Sequence, residues 1–231
     1  MAAAHRLAIA AVMDSAEQRL AAVRVELAKH AAAAGRPAND VTLIAVSKTH
    51  GADAIEPLLA AGQRDFGENR VQEAAAKWPP LRDRWPDVRL HLVGQLQSNK
   101  AAEAVELFDV IHSLDRPSLV AALSKATADR ASPTCFIQVN LEAGAGKGGC
   151  APGEIRALLE QAQTAGLPVI GLMCVPPLDR EPAPWFALLA KLADDHGLSQ
   201  LSMGMSGDYG TAVRLGATHV RVGTALFGTR G

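Results

Sequence analysis

Hydrophobic and polar positions along the chain alternate between two periods. Short continuous apolar runs, such as Leu43-Ile44-Ala45-Val46, are followed by longer stretches whose apolar residues fall three and four apart. A run of four or five apolar residues bounded by turn residues reads as a strand buried on both faces, and the wider spacing reads as an amphipathic helix. Strands are expected over 42–47, 63–67, 89–95, 109–113, 134–140, 168–174, 199–203 and 218–223. Helical stretches lie between them, at 51–62, 69–81, 97–108, 116–130, 153–166, 182–197 and 208–217, and several end at a glycine that suits a helix C-terminus. One more helix precedes the first strand. It is opened by Asp14 or Ser15, with Glu17 and Gln18 as capping partners, and stopped by Gly35.

Strands alternating with helices imply a parallel sheet. Eight such units in about 200 residues fit a closed barrel, so the expected fold is α/β: a single (β/α)8 TIM barrel over 14–231 with an extra N-terminal helix. Residues 1–13 read as a loosely ordered leader. A doubly wound open sheet is the alternative, although it normally uses fewer strands at this length.

Composition narrows the function classes. The 231 residues carry a formal charge of −1, with 48% hydrophobic and 20% charged residues, so no strong field draws nucleic acid or an anionic membrane. Cys135, Cys150 and Cys174 form an odd set without a CxxC pair, which argues against a disulfide framework or a structural zinc and suits a reducing, cytoplasmic setting. The histidines have no metal-ligand spacing, and no metal is expected. "LAIAAVM" (7–13) is too short to span a bilayer and runs directly into Asp14.

In a barrel of this type the chemistry sits at the carboxyl ends of the strands. Lys48 follows the first strand, Glu68 and Asn69 the second; His91 and Gln95 lie on the third, Ser113 on the fourth and Asn140 on the fifth. Met173 lies on the sixth strand, Ser206 after the seventh, and Arg221, Gly223 and Thr224 on and after the eighth. Each has a plainer reading: Lys48 as a lysine solvating its head, His91 as a core imidazole, Asn69 as a helix cap, Met173 as barrel filling. The small residues and hydroxyls of "LSMGMSGDYG" and "RVGTALFG" lead into helices and expose backbone N–H groups where barrels usually cradle phosphate. A phosphate cradle opposite a lone amine suggests a phosphorylated carbonyl compound held as an imine.

"LIAVSK", "DFGENRVQEAAAKW", "HLVGQLQSNK", "IHSLDR", "GLMCVPP" and "LSMGMSGDYGTAVRLGATHVRVGTALFG" resemble the pyridoxal phosphate homeostasis proteins, a family similar to the N-terminal barrel of alanine racemase. The resemblance runs from about Ser15 to Arg230. It implies pyridoxal 5′-phosphate (PLP) bound as a Schiff base on Lys48, with Ser206, Gly223 and Thr224 at the phosphate. It further implies Arg221 at the pyridine nitrogen and Asn69, His91 and Met173 lining the pocket. One segment departs from the family: "NLEAGAGKGGC" keeps Asn140, Lys147 and Gly149 but has Gly144 and Gly146 where the family has Glu and Ser, with Glu142 as a substitute acid.

A guanidinium beside the pyridine nitrogen cannot supply it with a proton as a carboxylic acid would, so carbanion stabilisation is weak. Racemases with the same arginine use two flanking bases, one of them a tyrosine on a second domain acting across a dimer interface. Here the only tyrosine is Tyr209, read as a surface residue at a helix start, and the chain ends soon after the barrel. The expectation is therefore a monomeric, reversible PLP carrier or reservoir without robust turnover. It would influence amino-acid and keto-acid balance, with PLP-dependent apo-enzymes as possible recipients. A PLP-dependent racemase is the alternative. A more remote one is nucleotide binding through "GAGKGG" (144–149), which matches GxGxxG but follows the fifth strand instead of the first. A pure interaction module built on the same loop has only glycine content in its favour.

Overall fold

The computed structural model describes residues 15–142, 148–177 and 179–228. The leader 1–13, and Gly144, Gly146 and Lys147 of the glycine-rich loop, lie outside the described residues. Helix α1 (Ala16–Ala33) begins at a reciprocal cap: the Ser15 hydroxyl accepts from the Gln18 backbone N–H at 3.2 Å, and the Gln18 side chain accepts from Ser15 N–H at 3.3 Å. It buries Leu20, Val23, Leu27 and Ala31 on one face.

Eight parallel strands follow: β1 (Thr42–Val46), β2 (Asp65–Glu68), β3 (Arg89–Leu92), β4 (Val110–Leu114), β5 (Thr134–Gln138), β6 (Val169–Met173), β7 (Gln200–Met205) and β8 (His219–Val222). Each pairs with the next and β1 pairs with β8, with Ala45 opposite Val222, so the sheet is closed. This excludes the doubly wound alternative. The connecting helices are α2 (Ala52–Ala60), α3 (Val71–Arg84), α4 (Ala101–Leu107), α5 (Pro117–Ala126), α6 (Ile155–Thr164), α7 (Ala183–Asp195), α8 (Tyr209–Arg214) and the single turn α9 (Thr224–Phe227). Helix α3 runs through Pro79 and Pro80 to Arg84, past the expected end at 81.

Period-two alternation divides each strand between two cores. Leu43, Ala45, Leu90, Leu92, Ile137, Leu172, Met203 and Val220 pack in the apolar layer that the helices cover. Val110, Phe136 and Met173 make a smaller apolar cluster with Ile170. His91, His112, Ser202 and Arg221 are buried too, and the lumen these strands enclose is polar for a barrel core. The apolar cluster and the imidazoles interleave: His112 stacks on Phe136 at 4.5 Å between centroids, and His219 meets the same ring edge-on at 5.0 Å. Among the described residues no helix is long and apolar enough to cross a membrane.

Candidate functional site

A cavity of about 740 Å³ opens at the carboxyl ends of the strands, and Lys48, Asn69, Ser206, Arg221, Gly223 and Thr224 all line it. Strand β1 thus faces the β7 and β8 loops across one space, because closure of the barrel makes the first and last strands neighbours.

Lys48 sits in the turn directly after β1, half-buried. Its amine has no hydrogen-bond or ion partner among the described residues. The turn around it is held from below. Thr49 has φ of 65°, a left-handed conformation that a β-branched residue rarely adopts, and its N–H donates to the Glu73 carboxylate. Lys77 donates from Nζ to the carbonyls of Ser47 at 2.8 Å and His50 at 3.0 Å, one on each side of Lys48. Glu68 is fully buried; its Oε1 accepts from the Ser47 hydroxyl at 2.6 Å and from the Trp78 indole at 3.0 Å. The predicted rim acid is therefore a brace under the lysine turn.

On the opposite wall, the Ser206 hydroxyl accepts from Gly223 N–H at 3.2 Å, tying the β7 loop to the β8 loop. Helix α9 begins at Thr224, and the first N–H groups of a helical turn have no intrahelical acceptor. Arg221 is 5% exposed. Its Nη1 donates to Ser202 Oγ at 2.5 Å and its Nη2 to the Cys174 carbonyl at 2.8 Å. Burial pulls its pKa below the usual guanidinium value. Asn69 is positioned by backbone contact: a Cβ on Gly94 would lie 2.2 Å from the Asn69 carbonyl oxygen, so only glycine permits that approach.

His91 and Met173 lie one layer deeper than the cavity wall. Two residues further along the chain, just past the ends of β3 and β6, Val93 and Val175 line the cavity in their place. His91 bonds to Asp65 and to His112, each at 3.0 Å, and Met173 packs with Phe136 and Val110. Gln95 donates to Gln138, the Ser113 hydroxyl is buried without a partner among the described residues, and Asn140 Oδ1 accepts from Glu142 N–H at 3.1 Å. Tyr209 opens α8 as expected but is half-buried, its ring 6.4 Å from that of His30.

Sequence reasoning missed Arg180, Glu181, Asp208 and Thr211 on the cavity wall. The signal for the first two was present: "VPPLDREP" is a proline-rich charged segment directly after β6, at the functional end of the barrel. Asp208 accepts from Met205 N–H and so shapes the β7 loop.

The sequence profile described as "Alanine racemase, N-terminal domain" matches residues 19–231. A Pseudomonas aeruginosa protein named pyridoxal phosphate homeostasis protein is 41% identical over 225 residues, covering 94% of this chain and 97% of that one. A protein of the same name from Escherichia coli is 35% identical over 231 residues, covering 94% and 98%. The solved structure of PipY from Synechococcus elongatus with PLP bound superposes with a TM-score of 0.79 at 42% identity, covering 92% of this chain and all of that one. Alanine racemase from Bacillus anthracis, at 17% identity and a TM-score of 0.63 over 56% of its length, shares the fold.

Proposed function

The chain belongs to the pyridoxal phosphate homeostasis protein family, and from that premise we propose that it binds PLP in the cavity at Lys48 and holds it reversibly as a Schiff base. The observation that carries this reading is the unpartnered amine of Lys48 facing, across one cavity, a hydroxyl, a helical turn's free N–H groups and a guanidinium. The residues fit the group. Ser206, Gly223 and Thr224 offer the small surface and donors a phosphate needs. Lys48 offers a nucleophilic nitrogen that is not tied up in an ion pair. The cofactor supplies an aldehyde that such an amine takes up with loss of water and gives back on hydrolysis.

We further propose a carrier and not a catalyst. Arg221 can only donate hydrogen bonds, so a pyridine nitrogen held against it stays unprotonated and the ring withdraws few electrons. Tyr209 packs towards His30 of α1, and among the described residues lining the cavity there is neither tyrosine nor histidine to act as a second base. A monomeric protein in the cytoplasm, delivering PLP to apo-enzymes, completes the proposal; three unpaired buried cysteines are consistent with a reducing compartment.

The deciding experiment is the visible spectrum of the protein with added PLP, before and after borohydride, beside Lys48→Ala. The expected result is a long-wavelength band, lost on reduction, with the cofactor then fixed to the peptide containing Lys48. No band in the wild-type protein, or fixation at another lysine, overturns the assignment. Appreciable racemisation of alanine by the loaded protein overturns the carrier reading alone.

A further inference from the structure

Four hydrogen bonds run in series through the barrel lumen. Arg221 Nη1 donates to Ser202 Oγ at 2.5 Å, Ser202 Oγ lies 2.8 Å from His112 Nδ1, His112 Nε2 lies 3.0 Å from His91 Nδ1, and His91 Nε2 lies 3.0 Å from Asp65 Oδ1. The path starts at the cavity wall on β8, steps to β7, crosses the lumen to β4, passes to β3 and ends on the first residue of β2, at the opposite mouth of the barrel. His91, His112, Ser202 and Arg221 are all buried, at 5% exposure or less.

We propose that this series is a one-way relay in which Ser202, His112, His91 and Asp65 act as positioning residues, fixing the orientation of the Arg221 guanidinium that faces the cofactor ring. The last clause rests on the PLP reading above; the relay itself does not.

The protons follow from the two ends. Arginine has only donors, and an ionised carboxylate has only acceptors. Asp65 is held ionised: burial would raise its carboxyl, but hydrogen bonds from His91 and Arg89 outweigh that and keep it below the usual carboxylate value. In the proposed order His91 carries its proton on Nε2, towards Asp65, and its Nδ1 accepts. His112 must then donate from Nε2 and accept at Nδ1, which leaves the Ser202 hydroxyl to donate to His112 while accepting from Arg221. Complete burial holds His112 well below its ordinary value and therefore neutral.

Every dipole in this order points its positive end at Asp65 and its negative end at Arg221. A buried cation usually needs a carboxylate beside it. Here the hydrogen-bond contacts of Arg221 are a hydroxyl and a carbonyl; Asp208 is a carboxylate close enough to act on it across the cavity, and Asp65 stands at the far end of an aligned chain. Aligned hydrogen bonds polarise one another, so the distant carboxylate strengthens the bond at the guanidinium. Two of the five guanidinium N–H groups are consumed by Ser202 and Cys174, and the others have no partner among the described residues.

The test begins with cofactor-free protein labelled with ¹⁵N. The expected spectrum has His91 and His112 each carrying a proton on Nε2 and none on Nδ1, and separate, slowly rotating Nη signals for Arg221. A proton on Nδ1 of either ring overturns the relay. Ser202→Ala and His112→Phe are expected to average the Arg221 Nη signals, while Phe136→Leu, which removes the ring stacked on His112 but no hydrogen-bonding group of the chain, leaves them resolved. Equal averaging in all three variants would reduce the network to ordinary packing.

With PLP present, Asp65→Ala is expected to speed cofactor release about tenfold, the scale of one weakened hydrogen bond to a charged group. Asp65→Asn, which still accepts from His91 without the charge, should fall between Asp65→Ala and wild type. An unchanged release rate in Asp65→Ala overturns the link to the cofactor. Failure of the wild type to bind PLP removes the PLP reading and leaves the imidazole and guanidinium spectra to judge the relay on their own.

Discussion

Lys77 Nζ lies 2.9 Å from Glu68 Oε1, and this nearly buried ion pair sits beneath the turn that carries Lys48. The Glu68 side chain is fully shielded and that of Lys77 is 12% exposed. Removing one partner of such a pair strands the other charge, which costs about 3–5 kcal/mol. Lys77→Met is therefore expected to destabilise the fold by that order and to loosen the Ser47–His50 turn. Lys77→Met combined with Glu68→Gln should cost less than the sum of the two single changes. Urea denaturation of the four proteins in a double-mutant cycle reads the coupling, and strictly additive costs would show that the pair contributes nothing as a pair.

The left-handed backbone at Thr49 makes a second prediction. A non-glycine residue in that region is strained by about 1–2 kcal/mol, and glycine loses part of that gain, about 0.5–1 kcal/mol, in added freedom of the unfolded chain. Thr49 is exposed and its backbone N–H is the group in use. Thr49→Gly should leave stability unchanged or raise it slightly, whereas Thr49→Pro, which removes the N–H and cannot adopt the turn, should be severely destabilising. A clear loss of denaturation midpoint in Thr49→Gly would mean that the threonine side chain contributes something the contacts do not reveal.

The lumen histidines set the acid limit. Burial pulls His219 down to about 3, and His112 is also held well below its ordinary 6.5. An unfolded chain takes up a proton on each near 6.5, while the folded protein resists until much lower pH. Between those limits the unfolded state binds more protons, so stability falls as pH drops from about 6.5 towards 3 and is unaffected by these groups above that window. Each histidine contributes a slope of at most about 1.4 kcal/mol per pH unit. His219→Gln should flatten the measured slope by one histidine's share; a profile as steep as that of wild type would assign the acid sensitivity elsewhere.

The thiols are predicted to be inert. Burial pushes Cys135, Cys150 and Cys174 each up to about 12, so almost no thiolate exists near neutral pH. Intact-mass analysis after iodoacetamide at pH 8 should find negligible alkylation of the native protein and three additions in denaturant. Rapid modification of a native cysteine would place it at an opening the folded contacts do not show.

Much of this molecule was legible in its sequence, and the misses have a common cause. Alternating apolar runs and amphipathic stretches identify strands and helices whatever the tertiary context, and eight of them close only one way. The Leu43–Val46 run also placed Lys48 just past a strand end. Phase was legible for His91 and Met173, which do point into the lumen. Depth was not. Inward-facing residues on one strand lie two apart, and which of them reaches the mouth depends on the stagger between strands, a property of the closed sheet and not of any one strand. Hence Val93 and Val175 line the cavity above them. The lumen relay escaped for the related reason that Asp65, His112 and Ser202 come from three distant segments, joined only by closure.

The pairing of β1 with β8 has a consequence for synthesis. Lys48 emerges from the ribosome well before the Ser206 and Thr224 walls. Until His219–Val222 docks beside Thr42–Ala45, the lysine has a turn but no opposing cradle. On the reading proposed above, affinity for the cofactor would then appear all at once, with the eighth strand, so that a loaded cavity certifies a closed barrel.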